Sequence, residues 1–194
     1  TSMNAWGLND DSLLDNAYKK AIQLAQSSRP FNLTILTVNT HHPNGFLAPN
    51  CKINQPQNFL HVVDCTVKLL AQFVKKIKNN SMLKNSQIII VGDHLAMQNT
   101  INSLMSKSQE RLIYNHFYTT EMLKLHTEEI NHFDLFPAIL YLTGIELKDG
   151  RGGLGYNPFS KSFPTKPKIT IDELDKKLIR FSHYYCNFWN KKSC

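Results

Sequence analysis

The sequence predicts an α/β domain, layered, with a largely parallel sheet between helices. Three observations predict it. Helix-type and strand-type periodicities alternate along the chain. One strand candidate, "SQIIIVGD", is short and continuously apolar, the mark of a strand buried on both faces. Metal-grade polar residues follow two strand candidates, at His41-His42 and at Asp93-His94. Open α/β sheets collect ligands at such strand ends.

Each element follows from local pattern. "NDDSLLDNAYKKAIQLAQSS" opens with Asp10 or Asp11 as candidate N-cap and ends at Ser27 and Ser28. Leu13, Leu14, Ala17, Ala21, Ile22 and Leu24 share one broad face, which predicts a helix that Pro30 stops. "FNLTILTVNT" alternates and is rich in β-branched residues, which predicts a strand. It runs into a turn at Pro43, Asn44 and Gly45. After a polar loop, "FLHVVDCTVKLLAQFVKKIKNN" places Val63, Val67, Leu70, Phe73, Val74 and Ile77 on one side, a helix ended by Asn79 and Asn80.

"IIIVG" and "RLIYNHFYT" read as strands. "INHFDLFPAILYLTGI" reads as a helix entered at Asn131 or Asp134 and stopped by Gly144, with Pro137 in the first turn. "KDGRGGLGYNPFSKSFPTKPK" reads as loop. "TIDELDKKLIRFSHYYCNFW" reads as one closing helix, with Thr170 and Glu173 as a capping box. The chain divides into a main part, 1–160, and a basic loop with a helical extension, 161–194.

Composition narrows the function. The 194 residues are 42% hydrophobic and include no run long enough to span a membrane. No signal peptide opens the sequence, so an export signal, if used, lies upstream. The net charge of +7 suits an anionic partner. The lysines are scattered, and no nucleic-acid recognition pattern accompanies them, so nucleic acid is not an expected partner. Four cysteines, Cys51, Cys65, Cys186 and Cys194, form no CxxC pair, which argues against a zinc ribbon. Cys51 and Cys65 flank a polar loop; the spacing alone fits a disulfide or two free thiols. Cys186 and Cys194 allow a pair of their own or a link between chains.

Asp93 and His94 carry the chemistry. A hard carboxylate beside an imidazole suits Zn²⁺ or Mn²⁺, with Mg²⁺ as an alternative. A metal there would polarise a phosphoryl or sulfuryl oxygen. Gly92 lets the backbone bend where the strand ends. His116, His126, His132 and His183 have no carboxylate at ligand spacing and stay unassigned.

"LTVNTHHPNGF", "CTVKLLAQFVKKIKNN" and "NSQIIIVGDHLAMQNT" resemble the phosphoglycerol transferase I enzymes, a branch of the sulfatase and alkaline-phosphatase-like superfamily. "NAWGLNDDSLLDNAYKKA" and "FDLFPAILYLTGIELKDGRGGLG" are similar to flanking stretches of the same catalytic domains. The resemblance spans about residues 4 to 160 and ends there. It implies that Asp93 and His94 are the two later metal ligands and that His41, with His42 beside it, meets the phosphoglycerol group. It implies a Cys51–Cys65 disulfide, and Asn99 as a group orienting a ligand.

The resemblance also implies a periplasmic enzyme anchored in the inner membrane. Such an enzyme moves phosphoglycerol from an anionic phospholipid, phosphatidylglycerol, to a glucan acceptor through a Thr nucleophile. That Thr and one acidic ligand are expected upstream of this chain; Thr1 and Ser2 lack the strand-to-helix setting that activates a nucleophile. The fragment alone is then expected to be inactive, and to associate with the upstream half or with itself. Two other readings stay open: a sulfatase or phosphodiesterase with a soluble substrate, and a non-enzymatic sugar- or lipid-binding module.

Overall fold

The computed structural model describes residues 2–27, 29–104, 111–120, 122–127, 130–161 and 171–189, the side chains of 171 and 172 excepted. Two compact units form, Thr1–Met122 and Leu123–Cys194.

In the first unit, a small hairpin pairs β1 (Met3–Asn4) with β2 (Gly7–Leu8). Helix α1 (Asp10–Ala25) follows, and α2 (Phe59–Asn79) packs against it. Ala21, Ile77 and Leu83 form a buried cluster, with Tyr18, Phe73, Leu33 and Ile88 packed around it. Asn58 caps α2: its side chain accepts from His61 N, and the His61 ring accepts from Asn58 N. Strand β3 (Ile88–Val91) pairs antiparallel with β4 (Asn115–Tyr118), and Gly92 N extends the ladder to Tyr114 O.

In the second unit, α3 (His132–Leu142) packs on a hairpin of β5 (Arg151–Gly152) and β6 (Gly155–Tyr156). Asp134 is buried and ties the two together. One carboxylate oxygen accepts from Asn131 N, closing the helix cap, and the other accepts from Tyr156 N. Helices α4 (Ile171–Leu178) and α5 (His183–Trp189) come last.

Several expectations are corrected. Residues 31–38 form no strand, although Leu33, Ile35 and Thr37 are half-buried and Thr34 and Leu36 exposed, the period-2 burial of one. Among the described residues no backbone hydrogen bond reaches 31–37, and a strand exists only through its ladder. Among the described residues the three two-stranded sheets are all antiparallel. β3 is half-buried, not enclosed on both faces. The N-cap of α1 is Asn9; Asp10 and Asp11 lie in the first turn, buried.

Pro137 is the sixth residue of α3, past the first turn. It therefore removes the helix donor of the Phe133 carbonyl. Gly155 packs against that carbonyl so closely that a Cβ there would lie 1.8 Å from the oxygen. The stretch expected as loop holds the β5–β6 hairpin. The closing helix is two helices, because Ser182 caps a new start, its Oγ accepting from Tyr185 N. Thr170 and the lysines at 166 and 168 lie outside the described residues.

Candidate metal and substrate site

Asp93 and His94 sit just beyond β3, on an exposed bend. Gly92 belongs there because a Cβ would press to 2.9 Å from the Ile113 side chain. Asp93 Oδ1 accepts from His94 N at 3.0 Å, which fixes the carboxylate against its own loop. His94 Nδ1 lies 2.8 Å from the Leu95 carbonyl. A carbonyl only accepts, so Nδ1 carries a proton, and in the neutral ring Nε2 is the acceptor. Nε2 lies 3.4 Å from Asp93 Oδ2.

Both side chains are solvent-exposed, and the separation of these two atoms leaves room for a cation to bridge them. Two ligands of a tetrahedral zinc at ordinary bond lengths stand about 3.4 Å apart. Nδ1 anchored on a backbone carbonyl is also the usual support of a metal-bound imidazole. The pair therefore fits half of a divalent-metal site. No group of three or more His, Cys, Asp or Glu side chains gathers in metal-ligand geometry among the described residues. Asn99 Nδ2 donates to Met97 O and Oδ1 accepts from Ile101 N. Arg111 donates to Ala96 O and holds the loop that follows His94.

His41 is built by the same rule on a different loop. Its Nδ1 lies 2.8 Å from His42 O, which leaves Nε2 as acceptor. Its ring stacks on Trp6 at 3.9 Å and on His42 at 4.7 Å between centroids. The loop closes through Gly45 N to His41 O and Phe46 N to Asn39 O. Gly45 takes a positive φ, and a Cβ there would meet Asn39 O at 2.7 Å. The His42–Pro43 bond is cis.

Beneath this loop lies a group of residues that sequence reasoning missed as a unit. Asp10 is fully buried; Oδ1 accepts from Val38 N and Asn39 N, and Oδ2 from Thr66 Oγ1. Asn39, also fully buried, accepts on Oδ1 from Asp10 N and Asn4 Nδ2. Asp11 Oδ2 accepts from Asn50 N. These two carboxylates pin residues 38, 39 and 50, and so fix both ends of the stretch that carries His41. The signal in the sequence was a pair of adjacent acids at a helix start, which capping explains equally well.

Cys51 and Cys65 are joined in a disulfide that clamps this stretch to α2. Cys186 is also disulfide-bonded; Cys194 lies outside the described residues. Beside the first disulfide a cleft of about 360 Å³ is lined by Asp11, Asn50, Lys52, His61 and Phe73 among others. It contains neither Asp93 nor His41.

The Sulfatase family profile matches residues 2–145, most of the chain, and the chain belongs to that family. Within it the chain is similar to enzymes named phosphoglycerol transferase I. The one from Salmonella choleraesuis is 30% identical over 197 residues, 96% of this chain and 25% of the relative. That from Citrobacter koseri is 37% identical over 117 residues, 57% of this chain and 15% of the relative. That from Xanthomonas axonopodis pv. citri is 38% identical over 112 residues, 55% and 16% of the two. The chain thus spans a quarter or less of the length of these curated relatives. No solved structure matches it.

Proposed function

We propose that this chain is part of the catalytic domain of a metal-dependent phosphoglycerol transferase. The parent protein would move phosphoglycerol from phosphatidylglycerol to a periplasmic glucan through an upstream Thr nucleophile. The observation that supports this best is the Asp93–His94 pair, its tautomer set and its two acceptor atoms converged. Enzymes of the sulfatase and alkaline-phosphatase-like family generally use divalent metals. When bound, Mn²⁺ or Zn²⁺ would supply charge to polarise a phosphoryl oxygen and favour the alkoxide of the nucleophile.

The chain's own residues have definite parts in this reading. Asp93 Oδ2 and His94 Nε2 would hold the ion, and Leu95 O and the Gly92 bend keep them aligned. His41 would meet the phosphoglycerol group through Nε2, either accepting a hydrogen bond from a glycerol hydroxyl or, once protonated, giving its proton to a departing oxygen. Trp6 and His42 hold its ring in place. In this reading the layered, largely parallel sheet is completed only when residues 31–38 gain a strand partner from the rest of the domain. The parent would act in the periplasm, anchored in the inner membrane by segments outside this chain. Among the described residues no helix is long and apolar enough to cross a membrane.

The test uses the chain joined to its upstream segment. Transfer of phosphoglycerol from phosphatidylglycerol to glucan should be measurable, and His41→Ala should lower kcat by about 100-fold or more. Full transfer with His41→Ala would contradict the role of His41. Hydrolysis of a soluble aryl sulfate without phosphoglycerol transfer would favour a sulfatase instead.

A further inference from the structure

The hairpin that opens the chain has no part in the Asp93–His94 pair, yet one of its side chains is bonded to the loop of His41. Asn4, half-buried in β1, uses both ends of its amide. Oδ1 accepts from Trp6 N at 2.8 Å. Nδ2 donates to Asn9 Oδ1 at 3.0 Å and to Asn39 Oδ1 at 3.2 Å. The Trp6 N–H can only donate, so the oxygen must face it and the amide has one orientation.

The partners show what this network does. Asn9 is the N-cap of α1, where an asparagine oxygen ordinarily accepts from a first-turn N–H. Asn9 makes no such bond, and its oxygen accepts from Asn4. The N–H of Asp10, which opens the helix, donates to Asn39, two residues before His41. Hairpin, helix start and His41 loop are thus joined through three asparagines, and Asn4 is the one that reaches both of the others.

The tip of the hairpin carries Trp6, 57% exposed. An indole so exposed has many orientations open to it. Here it stacks on the His41 ring, with centroids 3.9 Å and planes 25° apart. The last torsion of a histidine is broad and roughly two-fold, so the ring turns easily unless something holds it. The contact of Nδ1 with His42 O resists that turn, and an indole lying on the ring face resists it further. Asn4 holds both the backbone of Trp6 and the loop of His41.

We propose that Asn4 is a positioning residue: it seats Trp6 on the face of His41 and so presents Nε2 of that ring in one direction. The consequence for transfer rests on the part given to His41 in the proposed function; the seating does not.

Proton NMR of the full chain reads the seating directly. Ring protons that lie over an indole face move upfield, and His41→Gln identifies the His41 signals. The expected result is upfield His41 signals in the unsubstituted chain, kept in Trp6→Phe and lost in Trp6→Leu. Asn4→Ala should lose them too, with the helical circular dichroism unchanged. Asn4→Asp keeps an acceptor for Trp6 N but sets a carboxylate against the Asn9 and Asn39 oxygens, so it should also lose them. In the chain joined to its upstream segment, Asn4→Ala and Trp6→Leu should each lower kcat by about tenfold or more with KM little changed.

Upfield signals that persist in Asn4→Ala, or that the unsubstituted chain never shows, would overturn the proposal. So would their loss in Asn4→Ala with kcat unchanged, since the ring would then work without its seat. A joined chain that seats Trp6 as expected but transfers no phosphoglycerol would leave the seating standing and count against the proposed function.

Discussion

Asp10 has no solvent exposure and accepts three hydrogen bonds, two from the backbone just before His41 and one from Thr66. Removing the carboxylate leaves those donors buried and unmatched. Asp10→Ala should therefore cost about 3 kcal/mol of stability, measured by urea denaturation. It should also change Trp6 fluorescence, because the ring stacks on His41; an unchanged spectrum would show that Asp10 does not position that loop. At this scale the sequence placed Asp93 and His94 just past a strand, where the structure has them. It was not legible where one residue type serves two purposes. An acid at a helix start favours the dipole anywhere, and only the fold shows that Asp10 points back to hold residues 38 and 39.

Among the elements, helices were read well because their signal is carried within the segment. The boundaries of α2 and α3 follow from Asn58 and Asn131, each closing a capping box. Strands were read less well because a strand depends on a neighbour. Residues 31–38 show the right alternation yet find no ladder among the described residues, whereas "IIIV" finds one in β4. The β5–β6 hairpin was missed because it is four residues of strand in a Gly-rich stretch.

Two expected outcomes belong here. Gly155→Ala should destabilise the α3–hairpin packing by about 3 kcal/mol or more, since the new Cβ meets helix backbone that has no room to shift; denaturation followed by near-UV circular dichroism would check it. Cys51→Ser with Cys65→Ser should cost about 3 kcal/mol, the contribution expected of a crosslink across a loop of about 15 residues. Thermal denaturation of that pair against the oxidised chain would measure the loss.

Taken whole, the molecule leaves many large apolar side chains exposed. Leu36 and Leu112 are 70% and 78% exposed, and Met3, Tyr114 and Leu104 are exposed as well. We expect such side chains to draw the chain into association with itself or with the rest of the domain. Light scattering should show species larger than a monomer; a clean monomer at micromolar concentration would contradict that. The family was legible because its strings, "THHPNGF" and "GDHLAMQNT", are local. The assembled site was not, since its remaining ligands are expected from outside the chain.

The central claim is that Asp93 and His94 are a preformed half-site for a divalent metal. The most direct measurement is a calorimetric titration of the 194-residue chain with Mn²⁺ and Zn²⁺, beside the Asp93→Ala variant. A metal half-site predicts saturable binding by the unsubstituted chain that the variant loses. Binding that is absent, or that persists unchanged without the Asp93 carboxylate, would contradict it.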